Sequence, residues 1–350
     1  MKAAVYHGVK DIKIEETPRP QISEREVLVR VRAAAICGTD LRIYNHGHSK
    51  IPPGKKVILG HELSGDIVEV GDRVLDVKEG MRVTVASNIG CGKCHSCLQG
   101  FFHLCNKYEA IGLTLDGGFA EYVKVPEQAV QQGGILQIPE NISYEEAALI
   151  EPMACVYNGY KKCPTEPGDI VLIFGAGPIG MMHIMMTKLA GASKIIMTEI
   201  SDKRLKEAKD FGADVLINSE TQDLEKVVLD ETDGRGADLI ITACPSALAQ
   251  KMATRLASLH GKINFFGGLP KEKSEISLDT NLIHYGELLV TGSHGSDNYH
   301  CNRVLDLMVS GKIKLKPLIT NKFPLNQIEK AFEVASEGKG LKTIICPDKN

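Results

Sequence analysis

The chain contains no tryptophan, and nine tyrosines with nine phenylalanines leave aromatic residues at 5% of its 350 positions. It also lacks an excess of either charge, since Lys+Arg 41 against Asp+Glu 44 gives a formal net charge of −3. That balance argues against an electrostatic nucleic-acid binder, which needs a basic face. A long unbroken apolar run is missing too. The most apolar stretch, Ile170 to Met186, is interrupted by glycines, Pro178 and His183, which argues against a membrane-spanning helix. The first residues show no apolar h-region, so no secretory signal is visible and a cytoplasmic location is expected. Hydrophobic residues at 43% with 24% charged exclude disorder, collagen-like repeats and coiled coil. This length predicts about two domains, each able to bury a core without staples.

Cysteine, by contrast, is plentiful. Ten of them in a chain expected in the cytoplasm read as metal ligands or buried thiols rather than disulfides. The first hundred residues are β-rich: Val27–Ala33, Gly65–Val70 and Met81–Val85 read as short strands bounded by Gly and Asp. Their closely spaced turn signals point to a small barrel or sandwich. Near residue 145 the rhythm changes. From Asp169 onward, strands Ile170–Phe174, Lys194–Thr198, Val215–Ile217, Leu239–Thr242 and Lys262–Phe266 alternate with helices Ile179–Leu189, Lys203–Phe211, Leu224–Glu231 and Ala247–Ser258. Such alternation predicts an α/β fold with a doubly wound parallel sheet. A further strand, Leu288–Val290, precedes two helical patterns, Asn302–Ser310 and Leu325–Glu337.

The clearest chemical signal is Cys91-x2-Cys94-x2-Cys97-x7-Cys105 in a glycine-bearing loop. Four thiolates on one short loop can close a tetrahedral shell around Zn²⁺ with no open position, which makes a structural site. Two other readings compete. An iron–sulfur cluster would continue x3-Cys-Pro, whereas seven residues intervene here and Asn106 follows Cys105; unligated thiols are the plainer alternative. A more dispersed set is Cys37, His61 and Glu62, three ligands of the types catalytic zinc uses, with room for a fourth. Alone this set is weak, because an isolated cysteine is usually core and a His-Glu pair usually a packed or solvated polar pair.

Gly175-Ala176-Gly177-Pro178-Ile179-Gly180 follows the apolar strand and opens a helix. The first glycine permits the turn, the second lets the backbone approach a pyrophosphate, and the third lets helix and strand pack closely. Glu199 ends the next strand, where a carboxylate can accept from both ribose hydroxyls of NAD and repel the 2′-phosphate of NADP. Arg204, nearby, belongs either to the cofactor or to the exposed face of the following helix. A glycine turn without ligand is the bland alternative.

Together these residues resemble the zinc-dependent medium-chain dehydrogenases over essentially the whole chain. The resemblance rests on Cys37-Gly38-Thr39-Asp40, Gly60-His61-Glu62, the four-cysteine loop, Asp116-Gly117-Gly118-Phe119-Ala120-Glu121-Tyr122 and the glycine fingerprint, in the family's order. It implies a GroES-like β-barrel catalytic domain over 1–150 and 291–350, and a Rossmann NAD-binding domain over 151–290, with the active site between them. It further implies a catalytic zinc on Cys37, His61 and Glu62 and a structural zinc on Cys91, Cys94, Cys97 and Cys105. Glu151-Pro152 resembles the polyol and threonine branches, where a glutamate at this place sits beside the catalytic zinc and can exchange with its water, so the resemblance adds Glu151 to the catalytic-zinc set. Thr39, Glu151 and the zinc water are the candidate proton acceptors. Relatives pair the edge strands of their Rossmann sheets, so a homodimer or homotetramer is expected.

One departure stands out. Many relatives carry a histidine two residues beyond the Cys-Gly-Thr-Asp aspartate, where this chain has Arg42; arginine stays protonated and is a poor proton relay. His46 could substitute, and Arg42 could meet a cofactor phosphate, an anionic substrate group or a surface carboxylate. The Glu151 branch points to secondary alcohols of polyols such as sorbitol and L-iditol, with L-threonine or a sugar-alcohol phosphate such as galactitol phosphate as alternatives. Lys50, Lys55 and Lys56 are the candidate basic cluster for a phosphate, or simply a solvated surface. A zinc-binding interaction module is the non-enzymatic alternative.

Overall fold

The computed structural model describes residues 1–347, which divide into two compact units. Unit 1 comprises Met1–Ala154 and the chain from Gly295 onward; unit 2 is Cys155–His294. The division falls within the helix Ile150–Lys162. Among the described residues no helix is long and apolar enough to cross a membrane.

Unit 1 is built on strand Val27–Ala35, whose valines and alanines are buried on both faces. This strand pairs antiparallel with Glu62–Val70, Tyr122–Val125 and the late strand Lys342–Cys346. The sheet continues on one side through Arg82–Val85 to Ile135–Gln137, and on the other to Ile319–Pro324. A smaller sheet of Asp11–Glu16, Lys2–Gly8 and Val57–Ile58 completes the barrel-like core, in which Phe119 and Phe332 meet edge to face. Two antiparallel registers decide the site. Ala35 lies opposite Glu62, and Ala35 also lies opposite Ile344. The residues after Ala35 therefore run between Gly60–His61 on one side and Lys342–Thr343 on the other, and Ile36 N–H donates to Thr343 O at 2.9 Å.

Unit 2 is a six-stranded parallel sheet in the order Val215–Asn218, Lys194–Glu199, Ile170–Phe174, Ala237–Thr242, Ala257–Phe265, Leu289–Gly292. Numbered from its first strand this is 3-2-1-4-5-6, the doubly wound order whose switch point lies between strands one and four. The chain leaves Phe174 toward helix Pro178–Ala190 and leaves Thr242 toward helix Ala247–Leu256, and in this strand order ligands take the place where the two diverge.

Three features differ from the sequence expectation. Gly38–His46 is a helix, in a segment read only as β-rich; its start is fixed by Asp40, whose carboxylate accepts from Cys37 N–H at 2.9 Å. Ala257 and Ser258 belong to a strand rather than the preceding helix, because Ala257 pairs with Ala237. The C-terminal segment also contributes two strands, Ile319–Pro324 and Lys342–Cys346, besides its helices.

Candidate metal centres and dinucleotide site

The converging strands of unit 1 bring Cys37, His61 and Glu62 together, with one ligand atom from each lying within 4.8 Å of the others. Cys37 is the last residue before the helix Gly38–His46, and Glu62 begins its strand. Asp40 is fully buried, and its Oδ1 lies 3.4 Å from His61 Nδ1. A carboxylate there favours the proton on Nδ1 and leaves Nε2 for a metal. Burial alone would lower the His61 pKa, but the Asp40 carboxylate and the Cys37 thiol hold it well above its usual value. Glu62 is fully buried, and its Oε1 makes no hydrogen bond among the described residues. Its other oxygen faces Lys342, whose ammonium also donates to Ile36 O at 3.1 Å. A thiol, an imidazole and an orphaned buried carboxylate oxygen fit a zinc ion with one open position.

Glu151 stands outside that trio. It is buried on helix Ile150–Lys162, and its charge acts on Lys342 and on the buried Cys301 thiol. Thr39 lies half-buried in the first turn of the Gly38–His46 helix; Arg42 and His46 are exposed further along it.

In the cysteine loop all four thiols are free, and their sulfurs lie within 4.8 Å of one another. Cys94 Sγ is 3.5 Å from Cys97 Sγ and 3.7 Å from Cys105 Sγ. Those separations are far beyond a disulfide bond, and a tetrahedron with Zn–S bonds of ~2.3 Å has edges of ~3.8 Å. The Lys93 backbone N–H and neighbouring sulfurs hold Cys91 down to about 6, whereas burial and the adjacent Cys94 push Cys97 up to about 12. Like charges this close repel, and a divalent cation relieves that repulsion. The four-cysteine shell fits zinc.

In unit 2 the three fingerprint glycines do different things. Gly175 has φ +98°, and a Cβ there would lie 2.9 Å from the Cys244 Cβ. A Cβ on Gly180 would lie 1.9 Å from Gly175 O, so the helix can pack on the turn only with glycine. Gly177, the N-cap of helix Pro178–Ala190, faces open space, where a side chain would fill the place of an anion. Pro178 opens the helix at no hydrogen-bond cost, and Ile179 follows it. Glu199 ends its strand and turns its carboxylate to this loop, accepting from Ala176 N–H at 2.9 Å and Ile200 N–H at 2.8 Å. Arg204 is half-buried on helix Asp202–Phe211. The loop therefore fits a dinucleotide.

Sequence reasoning missed Lys342 and the orienting part of Asp40. Asp40 had a local signal, its place three residues after Cys37 at a helix start. Lys342 had none.

Comparison with known proteins accords with this geometry. The family model "Alcohol dehydrogenase GroES-like domain" matches residues 23–139, and "Zinc-binding dehydrogenase" matches residues 178–310. Sorbitol dehydrogenase of Bacillus subtilis (strain 168) is 35% identical over 100% of this chain and 98% of its own length. L-threonine 3-dehydrogenase of Pyrococcus abyssi is 37% identical over 98% of this chain and 97% of its own. The crystal structure of 2R,3R-butanediol dehydrogenase from Bacillus subtilis superposes with a TM-score of 0.89 at 30% identity, covering 99% of both chains.

Proposed function

The chain belongs to the zinc-dependent medium-chain dehydrogenases, and from that premise we propose that it oxidises a secondary alcohol of a polyol, of the sorbitol or L-iditol type, reversibly to a ketone with NAD. As a family member it is an oxidoreductase of CH–OH donors that works with zinc and a nicotinamide dinucleotide. The alcohol gives a hydride from its carbinol carbon to the nicotinamide and a proton from its oxygen, so that R₂CHOH and NAD⁺ become R₂C=O, NADH and H⁺.

When bound, zinc supplies Lewis acidity at the carbinol oxygen and the dinucleotide supplies the hydride acceptor. Cys37, His61 and Glu62 are the residues that would hold the catalytic metal, and Asp40 fixes the His61 ring for it. Lys342 balances the Glu62 charge. Thr39 and Glu151 are the groups assigned to take the substrate proton, because Arg42 stays protonated. Cys91, Cys94, Cys97 and Cys105 would hold the structural metal, outside the chemistry. Gly175 and Gly180 shape the turn, Gly177 leaves room for the pyrophosphate and Glu199 takes the ribose, with Arg204 at the periphery of that site. Self-association into a homodimer or homotetramer is part of the reading, since the edge strand Leu289–Gly292 leaves Leu289 51% exposed and needs covering.

The observation that carries the reading is the convergence of a thiol, an imidazole and a carboxylate from separated positions. L-Threonine is the second candidate substrate, on the 37% identity to a threonine dehydrogenase. An NAD-linked screen of polyols, their phosphates, secondary alcohols and L-threonine, with and without chelator, tests it. Chelator-sensitive turnover of a polyol is expected. No turnover of any of these at full zinc loading overturns the proposal.

A further inference from the structure

The chain re-enters unit 1 at Gly295, and its first residues there meet the base of the four-cysteine loop. Asn88 Nδ2 donates to Ser296 O at 2.8 Å, across 208 residues of chain. Asn298 Nδ2 donates to Gln132 O at 2.6 Å, across 166 residues. Between them, Asp297 accepts from His300 N–H at 3.3 Å and so opens the helix Asn298–Val309; its other oxygen lies 3.8 Å from His103 Nδ1. Gly295 backs onto the same histidine: its φ is +63°, and a Cβ there would lie 3.3 Å from the His103 Cβ. Asn88, His103, Ser296, Asp297 and Asn298 are all buried, so water does not compete for these bonds.

These partners stand on the two feet of the cysteine loop. Asn88 and Gly90 come just before Cys91, while His103 and Tyr108 lie on either side of Cys105. Gln132 grips the first foot, accepting from Gly90 N–H at 3.2 Å and donating from Nε2 to Gly90 O at 2.5 Å. Three ties hold the feet together. Tyr108 OH donates to Asn88 Oδ1 at 2.8 Å, and Asn88–Ile89 pairs antiparallel with Glu109–Ala110. The third tie is sulfur: Cys91 N–H donates to Cys105 Sγ at 3.3 Å, and all four sulfurs lie within 4.8 Å of one another. Thiolates this close repel unless a cation joins them. The same spacing of the feet sets the places of Asn88, His103 and Gly90, and through them the places that receive Ser296, Asp297 and Asn298.

We propose that Asn88, Gln132 and Asn298 are positioning residues that couple the metal of the four-cysteine shell to the segment Gly295–Val309. The metal then fixes the return of the chain into unit 1, and that segment in turn strengthens retention of the metal, because coupling between two sites is reciprocal. This rests on zinc in the four-cysteine shell and on no particular alcohol as substrate. The test uses Cys37→Ala protein, in which zinc held by the shell is counted alone, with affinity read by competition with a chromophoric chelator. Asn298→Ala leaves every cysteine in place and is expected to weaken that affinity about tenfold, the size of about one buried hydrogen bond. Hydrogen exchange reads the other direction. In Cys94→Ser, the amides of helix Asn298–Val309 are expected to lose protection at least about tenfold more than those of strand Val27–Ala35; in Cys37→Ala they should not. Unchanged zinc affinity in Asn298→Ala overturns the proposal, and so does a loss of protection in Cys94→Ser that is equal in the two segments. A Cys37→Ala protein that holds no zinc overturns it at its premise. Should Asn298→Ala fail to fold, the exchange comparison decides.

Discussion

Lys342 Nζ lies 2.5 Å from Glu62 Oε2, and the two side chains are 5% and 0% exposed. Burial alone would lower the lysine pKa; Glu62, Cys37 and Glu151 reverse this and raise it. The cation is therefore held at a place where a thiol and two carboxylates would otherwise face one another. Removing one partner of a buried pair costs about 3–5 kcal/mol. Lys342→Met is accordingly expected to destabilise the chelated protein by about that much, and the zinc-loaded protein by less, because the metal then supplies positive charge to Glu62. Thermal unfolding with and without chelator checks this, and equal losses in both states would contradict it.

The two cysteine sets should separate by readout. Cys37→Ala removes a ligand of the catalytic set and is expected to abolish turnover with little change in unfolding temperature. Cys94→Ser opens a closed four-sulfur shell, and should cost several kcal/mol. Equal stability losses in calorimetry would remove the distinction between catalytic and structural zinc.

The glycine fingerprint gives a sharper contrast. Gly180→Ala forces a Cβ to within 1.9 Å of Gly175 O and should destabilise unit 2 outright. Gly177→Ala meets nothing within 4 Å and has an ordinary φ of −78°. Its fold should survive, while the KM for NAD rises about tenfold or more, as expected when a methyl group occupies ligand space. A Gly177→Ala enzyme with unchanged KM for NAD would show that the pyrophosphate lies elsewhere.

How far the sequence revealed these sites follows from how local they are. The cysteine loop and the glycine turn each lie within fifteen or so residues, so spacing alone carries their geometry. Cys37 and the His61-Glu62 pair come from different segments, and only the family's motif order linked them; the structure brings them together through the register Ala35 opposite Glu62. Lys342 had no such help. It begins the strand Lys342–Cys346, where no motif or spacing marks it, and only the pairing of that strand with Val27–Ala35 carries it into the interior. The helix Gly38–His46 was hidden because the surrounding β-rhythm suggested more strands, although Asp40 marked its start.

Cofactor choice should rest on Glu199. Its carboxylate is fixed by Ala176 and Ile200 N–H groups beside the phosphate turn, where a 2′-phosphate would meet a negative charge. Glu199→Ala is expected to lose about tenfold or more of the NAD-over-NADP ratio in kcat/KM. A wild-type enzyme with a lower KM for NADP than for NAD would refute the assignment.

His183 makes unit 2 sensitive to acid. It is 2% exposed, packs edge to face on Phe266 with ring centroids 4.6 Å apart, and its Nε2 has no hydrogen-bond partner among the described residues. Burial pushes its pKa down to about 3, against ~6.5 in an unfolded chain. Between these values the unfolded state binds a proton that the folded state refuses. Stability is therefore complete above pH ~6.5 and is lost progressively as the pH falls toward 3, at up to about 1.4 kcal/mol per pH unit. His183→Leu removes the titrating group, and its unfolding free energy in urea should fall less steeply over that window than the wild type's. The same slope in both proteins would mean that other groups, not His183, set the acid limit.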